Sequence, residues 1–364
     1  MVAPDGARGV MCRGSAFDRI KVTGHITSDM NENLPGSCLV IRHDRASTEG
    51  EKEMSIDTTE DPDSEGSKGH SRRNVMIGGL GLSLALLAPI AGAGPALAAD
   101  RSQVLIILSS AGELKLKDGK TYKTGFYLDE LSIPLRKLVE AGYTPVFANP
   151  EGNAATFDPV SNDKAFFGND DNARAAAVRF LEGYPGIKAP RTLADVVREG
   201  TSDYVGIFIP GGHAPMQDLI QNKTLGDILK TFHANARPTG VICHGPTALL
   251  STVSDPVAYR EAMVAGDIFK ASKIAEGWPY AGYRLTVFAT GEERIIEGPG
   301  QQLGGSVLFY AADALAQAGA HVDRIAAFQP NVIEDRELVS GQQPFSSDAF
   351  GEAFVAKLLA SAAR

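Results

Sequence analysis

The sequence predicts a doubly wound α/β domain, in which a mostly parallel sheet carries helices on both faces. From residue 103 onward, short apolar runs alternate with segments of helical spacing, which is the pattern of strands joined by crossover helices. The runs are apolar at nearly every position, as expected for strands that are buried on both faces. One run, "TGVICHG" (239–245), turns sharply into a helix, and ligands collect at such strand ends in this fold class.

The first half of this region is the more regular one. Its predicted helix at 126–142 ends at Gly142, and Pro134 is expected to limit or kink it. The predicted elements are strand 104–110, helix 126–142, strand 144–150, helices 172–183 and 192–200, strand 204–212, helix 224–236, strand 239–245 and helix 246–253.

The second half of this region is predicted to contain fewer elements, and two insertions are expected in the domain. The polar stretch 151–200 and the stretch 253–282 are the expected insertions or lids. The remaining predicted elements are a strand at 283–290, a helix at 304–319, a small hairpin at 332–341 around Glu334 and Asp335, and a terminal helix at 346–363.

The first hundred residues predict an export signal behind a polar extension. Arg72 and Arg73 precede an apolar stretch (75–93), and a small-residue "ALA" follows at 96–98. This order of charged, apolar and cleavage regions is typical of a signal peptide, and the paired arginines resemble a twin-arginine signal. The alternative is a retained membrane anchor, but glycines and Pro89 interrupt the apolar stretch.

These observations predict three segments. Residues 1–70 are polar and lack sustained periodicity, so we expect a disordered extension, of which 1–53 is interpreted as an over-extended start. Residues 71–98 form the predicted signal peptide, and 99–364 form a single catalytic domain. The protein is therefore expected to be exported, to the periplasm or outside the cell, with no stable membrane span after cleavage.

Charge and cysteine content narrow the possible functions. The net charge is −9 and there is no basic stripe, so nucleic acid is excluded as the expected partner. Cys12 and Cys38 lie in the N-terminal extension, which leaves Cys243 as the single cysteine of the predicted mature chain. One cysteine cannot form an internal disulfide, so its thiol is either buried and inert or reactive.

Cys243 precedes His244 and Gly245 at the end of a predicted strand. A nucleophile at such a turn is exposed to ligands, and the backbone N–H groups that follow it point at the reacting centre. The start of the next helix favours thiolate over thiol, so we expect a depressed pKa for Cys243. His244 accepts the thiol proton if its ring folds back beside the sulfur.

Two further segments are candidates for the same site. The "PGGHAP" turn places Gly211, Gly212 and His213 after the preceding strand, where glycines let a backbone N–H approach a substrate oxygen. Glu130 lies in the first turns of a helix that also starts at the carboxyl edge of the sheet. Its carboxyl group is expected to relay protons near the thiol, in a solvated pocket; the alternative is a solvated charge on the helix surface.

The segments "GFYLDEL", "IPGGHAPMQDL", "VICHGPTALL" and "LVSGQQPFSSDAFG" together resemble the PfpI/ThiJ superfamily, whose fold is of the flavodoxin-like, class I glutamine-amidotransferase type. The resemblance extends over about 103–360 and is closest to the glyoxalase III and heat-shock chaperone branch. It implies a nucleophile elbow with Cys243 as nucleophile, beside His244, and a catalytic role for Glu130. It also implies a third triad acid, for which Glu293 is the candidate and Glu292 the competitor.

The resemblance implies an enzyme that acts on reactive carbonyls without a cofactor. A 2-oxoaldehyde such as methylglyoxal would become a 2-hydroxy acid, with Gly211, Gly212, His213 and Gly245 forming the oxyanion or substrate-binding positions. The alternatives are a cysteine amidase or peptidase, a holdase chaperone, and a thiol stress sensor. A metal site built from His213, His244 and a carboxylate is disfavoured because neither HExxH nor CxxC spacing is present. The oligomeric state, including a homodimer, is left open.

Overall fold

A seven-stranded sheet forms the centre of the computed structural model, which describes residues 103–363. The strands are β1 (Gln103–Ile107), β2 (Glu113–Lys115), β3 (Thr121–Lys123), β4 (Thr144–Asn149), β5 (Arg191–Thr192), β6 (Tyr204–Ile209), β7 (Thr239–Ile242), β8 (Arg284–Leu285), β9 (His321–Val322), β10 (Val332–Asp335) and β11 (Leu338–Gly341). The predicted extension (1–70) and signal peptide (71–98) lie outside the described residues.

The order of strands across the sheet is β10-β11-β7-β6-β1-β4-β5. All neighbours run parallel except β10 and β11, which form the predicted antiparallel hairpin. This architecture confirms the predicted α/β fold class. Because β7, β6 and β1 lie side by side, the turns that follow these three strands meet at one edge of the sheet.

Helices connect the strands and cover the sheet. The α-helices are α1 (Leu128–Glu140), α2 (Asp171–Glu182), α3 (Pro185–Lys188), α4 (Leu193–Glu199), α5 (Lys223–Ala234), α6 (Pro256–Ala265), α7 (Ile268–Ile274), α8 (Thr290–Ile296), α9 (Ala311–Ala318) and α10 (Ser347–Ala362). The 3-10 helices are Pro159–Ser161, Lys164–Phe167, Ala214–Met216, Leu219–Gln221, Gly245–Thr252 and Pro344–Ser346. Among the described residues, no helix is both long and apolar enough to span a membrane.

The core consists of two apolar clusters, because alternate side chains of a strand point to opposite faces of a sheet. In β1, Leu105 and Ile107 belong to one cluster, whereas Val104 and Ile106 belong to the other. All four are fully buried. The continuous apolar run of this strand therefore reflects burial on both faces, as the sequence predicts.

Several elements differ from the prediction. The predicted strand 283–290 is extended only at Arg284–Leu285, and it pairs with β9 outside the main sheet. The backbone N–H groups after Leu285 do not continue the strand ladder. The Thr286 N–H donates to the Ser340 hydroxyl, and the Phe288 N–H donates to the Cys243 carbonyl. Residues 290–296 then form α8.

Other differences concern helix limits and a hairpin. Residues 246–253 form 3-10 rather than α-helix, and the helix predicted at 304–319 begins only at Ala311. The β2–β3 hairpin was not predicted, since each of its strands is only three residues long. In α1 the chain remains helical through Pro134, whose ring is buried.

Candidate active site

Cys243 occupies a strained backbone position directly after β7. Its φ is +59°, in the left-handed region that non-glycine residues rarely adopt. The surrounding structure holds this conformation: the Cys243 N–H donates to the Gly341 carbonyl (2.9 Å), and the Cys243 carbonyl accepts from Phe288 (3.0 Å). Strain of this kind at a strand-to-helix turn is typical of a nucleophile elbow.

His244 and Glu293 continue from the thiol as a hydrogen-bonded chain. The Cys243 Sγ lies 3.2 Å from His244 Nδ1, and His244 Nε2 lies 2.7 Å from Glu293 Oε2. All three side chains are almost completely buried. The structure therefore brings together the thiol, imidazole and carboxyl group that the sequence proposed as a triad.

The Glu293 carboxylate is shared by two histidines. Its second oxygen, Oε1, lies 2.8 Å from His213 Nε2, and the two imidazole rings are 4.0 Å apart. Burial acts to raise the pKa of Glu293, but the charges and hydrogen bonds of His213 and His244 outweigh it, so the pKa falls below its usual range. Glu293 is therefore an anion that orients both rings.

The protonation of His244 follows from this arrangement. Burial and the neighbouring His213 lower the pKa of His244 to about 4, so its imidazole is neutral near pH 7. The ionised Glu293 accepts the Nε2 proton, which assigns the tautomer with a free lone pair on Nδ1, facing the sulfur. His244 can therefore take the thiol proton.

Glu130 also lies close to Cys243, since both side chains border Gly211. Its Oε2 accepts the Gly211 N–H (3.0 Å), and its Oε1 has no hydrogen-bond partner among the described residues. The side chain is 0% exposed, so the expectation of a solvated pocket for Glu130 is wrong. Burial and the adjacent Asp129 raise the pKa of Glu130 well above its usual value. Glu130 is therefore positioned as a proton carrier beside the thiol.

The predicted depressed pKa of Cys243 is also wrong. Burial, together with the charge of the nearby Glu130, raises the pKa of the thiol well above its usual value, and the Gly212 N–H only partly opposes this. The start of the following helix favours thiolate, but burial and the nearby carboxyl group outweigh it, and neither is visible in the sequence. The resting nucleophile is therefore a thiol, with His244 Nδ1 as its proton acceptor and the Glu130 carboxyl group close by.

The glycine turn after β6 has a packing role as well as a candidate binding role. A Cβ on Gly211 would lie 2.5 Å from the Cys243 Cβ and 2.6 Å from Glu130 Oε2, so no larger residue fits between them. The N–H groups of Gly211 and His213 are already bonded, to Glu130 and to the Thr124 hydroxyl. This leaves the Gly212 N–H, which acts to lower the pKa of the thiol, as the candidate oxyanion donor in this turn.

Gly245 has a packing role at the elbow. A Cβ on this residue would collide with the carbonyl oxygen of Ile209, at the end of β6. Gly245 therefore allows the elbow to pack against the neighbouring strand, and its role in substrate binding stays a prediction.

A cavity of about 310 Å³ opens beside the thiol and is lined by Cys243, His244, His213 and Gly212. Its remaining walls are mainly aromatic: Tyr127, Phe166, Phe288, Phe328 and Phe345. Sequence reasoning did not identify these wall residues, because they come from five separate segments and carry no reactive group. The cavity offers space for a small, uncharged molecule next to the sulfur.

Glu292, the competing triad acid, points away from the histidines. Its carboxylate accepts hydrogen bonds from the backbone of Ala289 (2.8 Å) and Phe328 (2.7 Å), and from the Gln342 amide (3.1 Å). Consecutive residues of a helix face about 100° apart, so only one of the two glutamates can reach His244.

His213, His244 and Glu293 also have the spacing of a metal-binding cluster among the described residues, since their ligand atoms lie within 4.8 Å of one another. Both oxygens of Glu293 already bond to the two imidazoles, so a metal ion would have to displace one of these hydrogen bonds. The hydrogen bonds to Glu293 account for one ring nitrogen of each histidine, and His213 Nδ1 has no hydrogen-bond partner among the described residues.

Comparison with known proteins agrees with this fold. Residues 122–254 match the model of the DJ-1/PfpI family, a range that contains Glu130, Gly211, Cys243 and His244. The chain therefore carries a DJ-1/PfpI family domain, which confirms the resemblance inferred from its motifs. Glu293 lies beyond the matched residues.

Individual relatives cover most of the described chain. A Staphylococcus aureus protein named protein/nucleic acid deglycase HchA is 28% identical over 265 residues, which are 71% of this chain and 80% of that protein. The structure of glyoxalase III from Candida albicans covers 71% of this chain and 98% of its own, with a TM-score of 0.50 and 21% identity. The Rapid Encystment Protein 24 KDa of Francisella tularensis has a TM-score of 0.51 and 23% identity, covering 71% of this chain and 99% of its own. The two structures show a shared fold.

Proposed function

We propose that this chain, as the bearer of a DJ-1/PfpI family domain, is a cysteine enzyme that acts on reactive carbonyls and needs no cofactor. Its proposed reaction converts a 2-oxoaldehyde such as methylglyoxal into a 2-hydroxy acid, here D-lactate. One observation carries the proposal: the Cys243 sulfur lies 3.2 Å from His244 Nδ1 and close to the Glu130 carboxyl group, at the wall of a small apolar cavity. The deglycase name of the Staphylococcus aureus relative supports the same class of substrate.

The first proposed step forms a carbon–sulfur bond. His244 Nδ1 takes the thiol proton as Cys243 Sγ adds to the aldehyde carbon, which is the more electrophilic of the two carbonyl carbons. The aldehyde oxygen gains the electron pair of the C=O bond and is stabilised by the Gly212 N–H. Protonation of this oxygen gives a hemithioacetal.

The next step moves hydrogen between the two carbons. A base removes the proton of the former aldehyde carbon, an enediol forms, and a proton returns to the adjacent carbon. Glu130 and His244 are the bases within reach of the sulfur. The product is a thioester of the 2-hydroxy acid, and attack by water releases the acid and restores the thiol.

A substrate panel with matched variants tests the proposal. We expect turnover of methylglyoxal, and none of small amides or peptides, which a cysteine amidase would hydrolyse. Cys243→Ala should abolish turnover, and Glu130→Gln should lower kcat/KM by roughly 100- to 10,000-fold, the range typical of lost acid–base catalysis. Glu140→Gln, on the exposed end of α1, is the control and should behave as wild type.

Near-normal turnover by Glu130→Gln would contradict the proposed mechanism even if Cys243 were essential. Turnover of an amide but of no 2-oxoaldehyde would replace the proposal with a cysteine amidase or peptidase.

We also propose export through the twin-arginine-type signal at 71–98, on the sequence pattern alone. Replacing Arg72 and Arg73 with lysine should keep the protein in the cytoplasm while turnover stays unchanged. Cell fractionation with an activity assay measures both, and undiminished export of the variant would refute the assignment.

A further inference from the structure

Glu292 is a buried carboxylate that stabilises a loop and is not part of the triad. It is 1% exposed, and its three bonded partners are N–H groups of Ala289, Gln342 and Phe328. No salt bridge to Glu292 occurs among residues 103–363. Burying a carboxylate is costly, and N–H donors compensate for that cost only when their geometry is maintained.

The loop that Glu292 holds is the segment 323–331, between β9 and β10. Phe328 in this loop has a φ of +60°, the left-handed region in which a bulky side chain is strained. The N–H of Phe328 donates the shortest of the three hydrogen bonds to Glu292, at 2.7 Å. The carboxylate thus stabilises a backbone conformation that phenylalanine does not favour by itself.

Further hydrogen bonds fix the C-terminal end of the same loop. The Gln329 carbonyl accepts from the Gln343 amide (2.8 Å), and Asn331 bonds to Gln342 (3.0 Å) and to the Ser346 hydroxyl (3.1 Å). The neighbours of Phe328 in the sequence are exposed, whereas its own ring is half-buried at the cavity wall. The loop is therefore held so that one aromatic ring faces the cavity that contains Cys243.

We infer that Phe328 limits the size of the carbonyl compound that reaches Cys243, and that Glu292 is the positioning residue that holds Phe328 in place. Phe328 lines one side of a cavity of about 310 Å³ and takes no part in the triad hydrogen bonds. That the excluded molecules are 2-oxoaldehydes rests on the proposed function. The size limit itself concerns access to the thiol and is independent of turnover.

Alkylation of Cys243 tests access without requiring catalysis. The full chain is treated with iodoacetamide and, separately, with the bulkier N-benzyl iodoacetamide, and the labelled Cys243 peptide is followed by mass spectrometry. Phe328→Ala should raise the rate constant for the benzyl reagent, relative to that for iodoacetamide, by roughly tenfold, the usual scale of discrimination by an apolar pocket. Phe269→Ala, which removes an exposed phenylalanine of α7, is the control and should leave the ratio unchanged.

Variants of Phe328 and of Glu292 distinguish the effect of the ring from the effect of the residue that positions it. Phe328→Gly removes the ring but tolerates a φ of +60° without strain, so it should raise the ratio while the loop remains folded. Glu292→Gln replaces one acceptor oxygen with an NH₂ group that would face an N–H donor, so it should raise the ratio in the same direction by a smaller factor. Glu292→Asp, which keeps the charge but shortens the reach to Phe328, is the second variant should the glutamine variant fail to fold.

Kinetics with methylglyoxal and phenylglyoxal complete the test. Phe328→Ala should raise kcat/KM for phenylglyoxal relative to methylglyoxal, and Glu292→Gln should raise KM more than it lowers kcat. An unchanged alkylation ratio in both Phe328 variants would overturn the size limit. A loss of kcat in Glu292→Gln at unchanged KM and alkylation ratio would overturn the positioning role. If wild type turns over neither aldehyde but the alkylation ratio shifts as expected, the proposed function fails and the size limit stands.

Discussion

Two histidine–glutamate pairs lie at opposite ends of the central sheet, one fully buried and the other with a partly exposed histidine. His244 directly follows β7 and pairs with Glu293 of α8, with an Nε2–Oε2 distance of 2.7 Å. His233 and Glu337 lie at the other end, where Glu337 precedes β11, with an Nδ1–Oε1 distance of 2.8 Å. By residue type and hydrogen-bond length the two pairs are nearly the same.

Their surroundings differ. The second ring nitrogen of His244, Nδ1, lies 3.2 Å from the Cys243 thiol, and His244 lines the aromatic cavity. The carboxylate of Glu337 instead accepts from the Tyr283 hydroxyl through both oxygens, at 3.1 and 3.0 Å. A surface cavity of about 420 Å³ borders Glu337, but neither His233 nor any cysteine lines it.

A histidine–carboxylate pair can therefore take part in catalysis only where the fold places a nucleophile and a cavity beside it. In a doubly wound sheet the turns at the carboxyl ends of the strands bring a nucleophile, backbone N–H groups and a cavity to the same edge. At the amino end the described residues place no cysteine beside the pair, and the neighbouring cavity is not lined by His233, so His233 and Glu337 are interpreted as a structural pair that fastens β11 to α5.

The largest expected effect tests the two histidines directly. His244→Gln removes the proton acceptor beside Cys243, so kcat/KM for methylglyoxal should fall by roughly 100- to 10,000-fold. His233→Gln is the matched change at the other end and should leave kcat/KM nearly unchanged. Steady-state kinetics of both variants decide the point, and a comparable loss in His233→Gln would mean that the two ends are not functionally distinct.

The second effect is on stability and should occur at the structural end. Glu337→Gln weakens the charge-assisted hydrogen bonds with His233 and Tyr283, so the free energy of unfolding should fall by about 1–3 kcal/mol. Activity of the folded enzyme should be retained. Urea denaturation measures the loss, with Glu334→Gln, a half-exposed neighbour paired with Lys357, as the control that should change little.

The smallest effect concerns the acids at the active end. Burial raises the pKa of Asp129 to about 8, and its Oδ1 has no hydrogen-bond partner among the described residues. The folded chain therefore holds a proton that the unfolded chain has lost above about pH 4, so this group's contribution to stability declines as the pH rises toward 8. Asp129→Asn should reduce the decline in the free energy of unfolding between about pH 5 and about pH 8.

The pKa of Glu130 is also raised, so the free energy of unfolding of Asp129→Asn should keep some pH dependence. Urea denaturation of both proteins at the two pH values measures the difference. An equal decline in the variant and the wild type would show that Asp129 is not protonated in the folded chain.

The sequence by itself determined the α/β fold class, the alternation of the main-sheet strands with helices, the elbow and its Cys243–His244 pair. These features are local: a strand or helix imposes its period on neighbouring residues, and a cysteine next to a histidine at a strand end is visible as written. The hairpin at 332–341 was predictable for the same reason, because its strands and turn lie within ten residues.

Tertiary structure decided what depends on partners distant in the chain. Glu293 rather than Glu292 reaches His244 because the packing of α8 sets the rotation of that helix, and the residue pattern leaves both glutamates equivalent. Burial of Glu130 against the thiol reverses the pKa shift that the elbow alone predicts. The segment after β8 leaves the extended state because its backbone bonds to Cys243 and Ser340, residues 40 or more positions away, and no local pattern encodes such pairings.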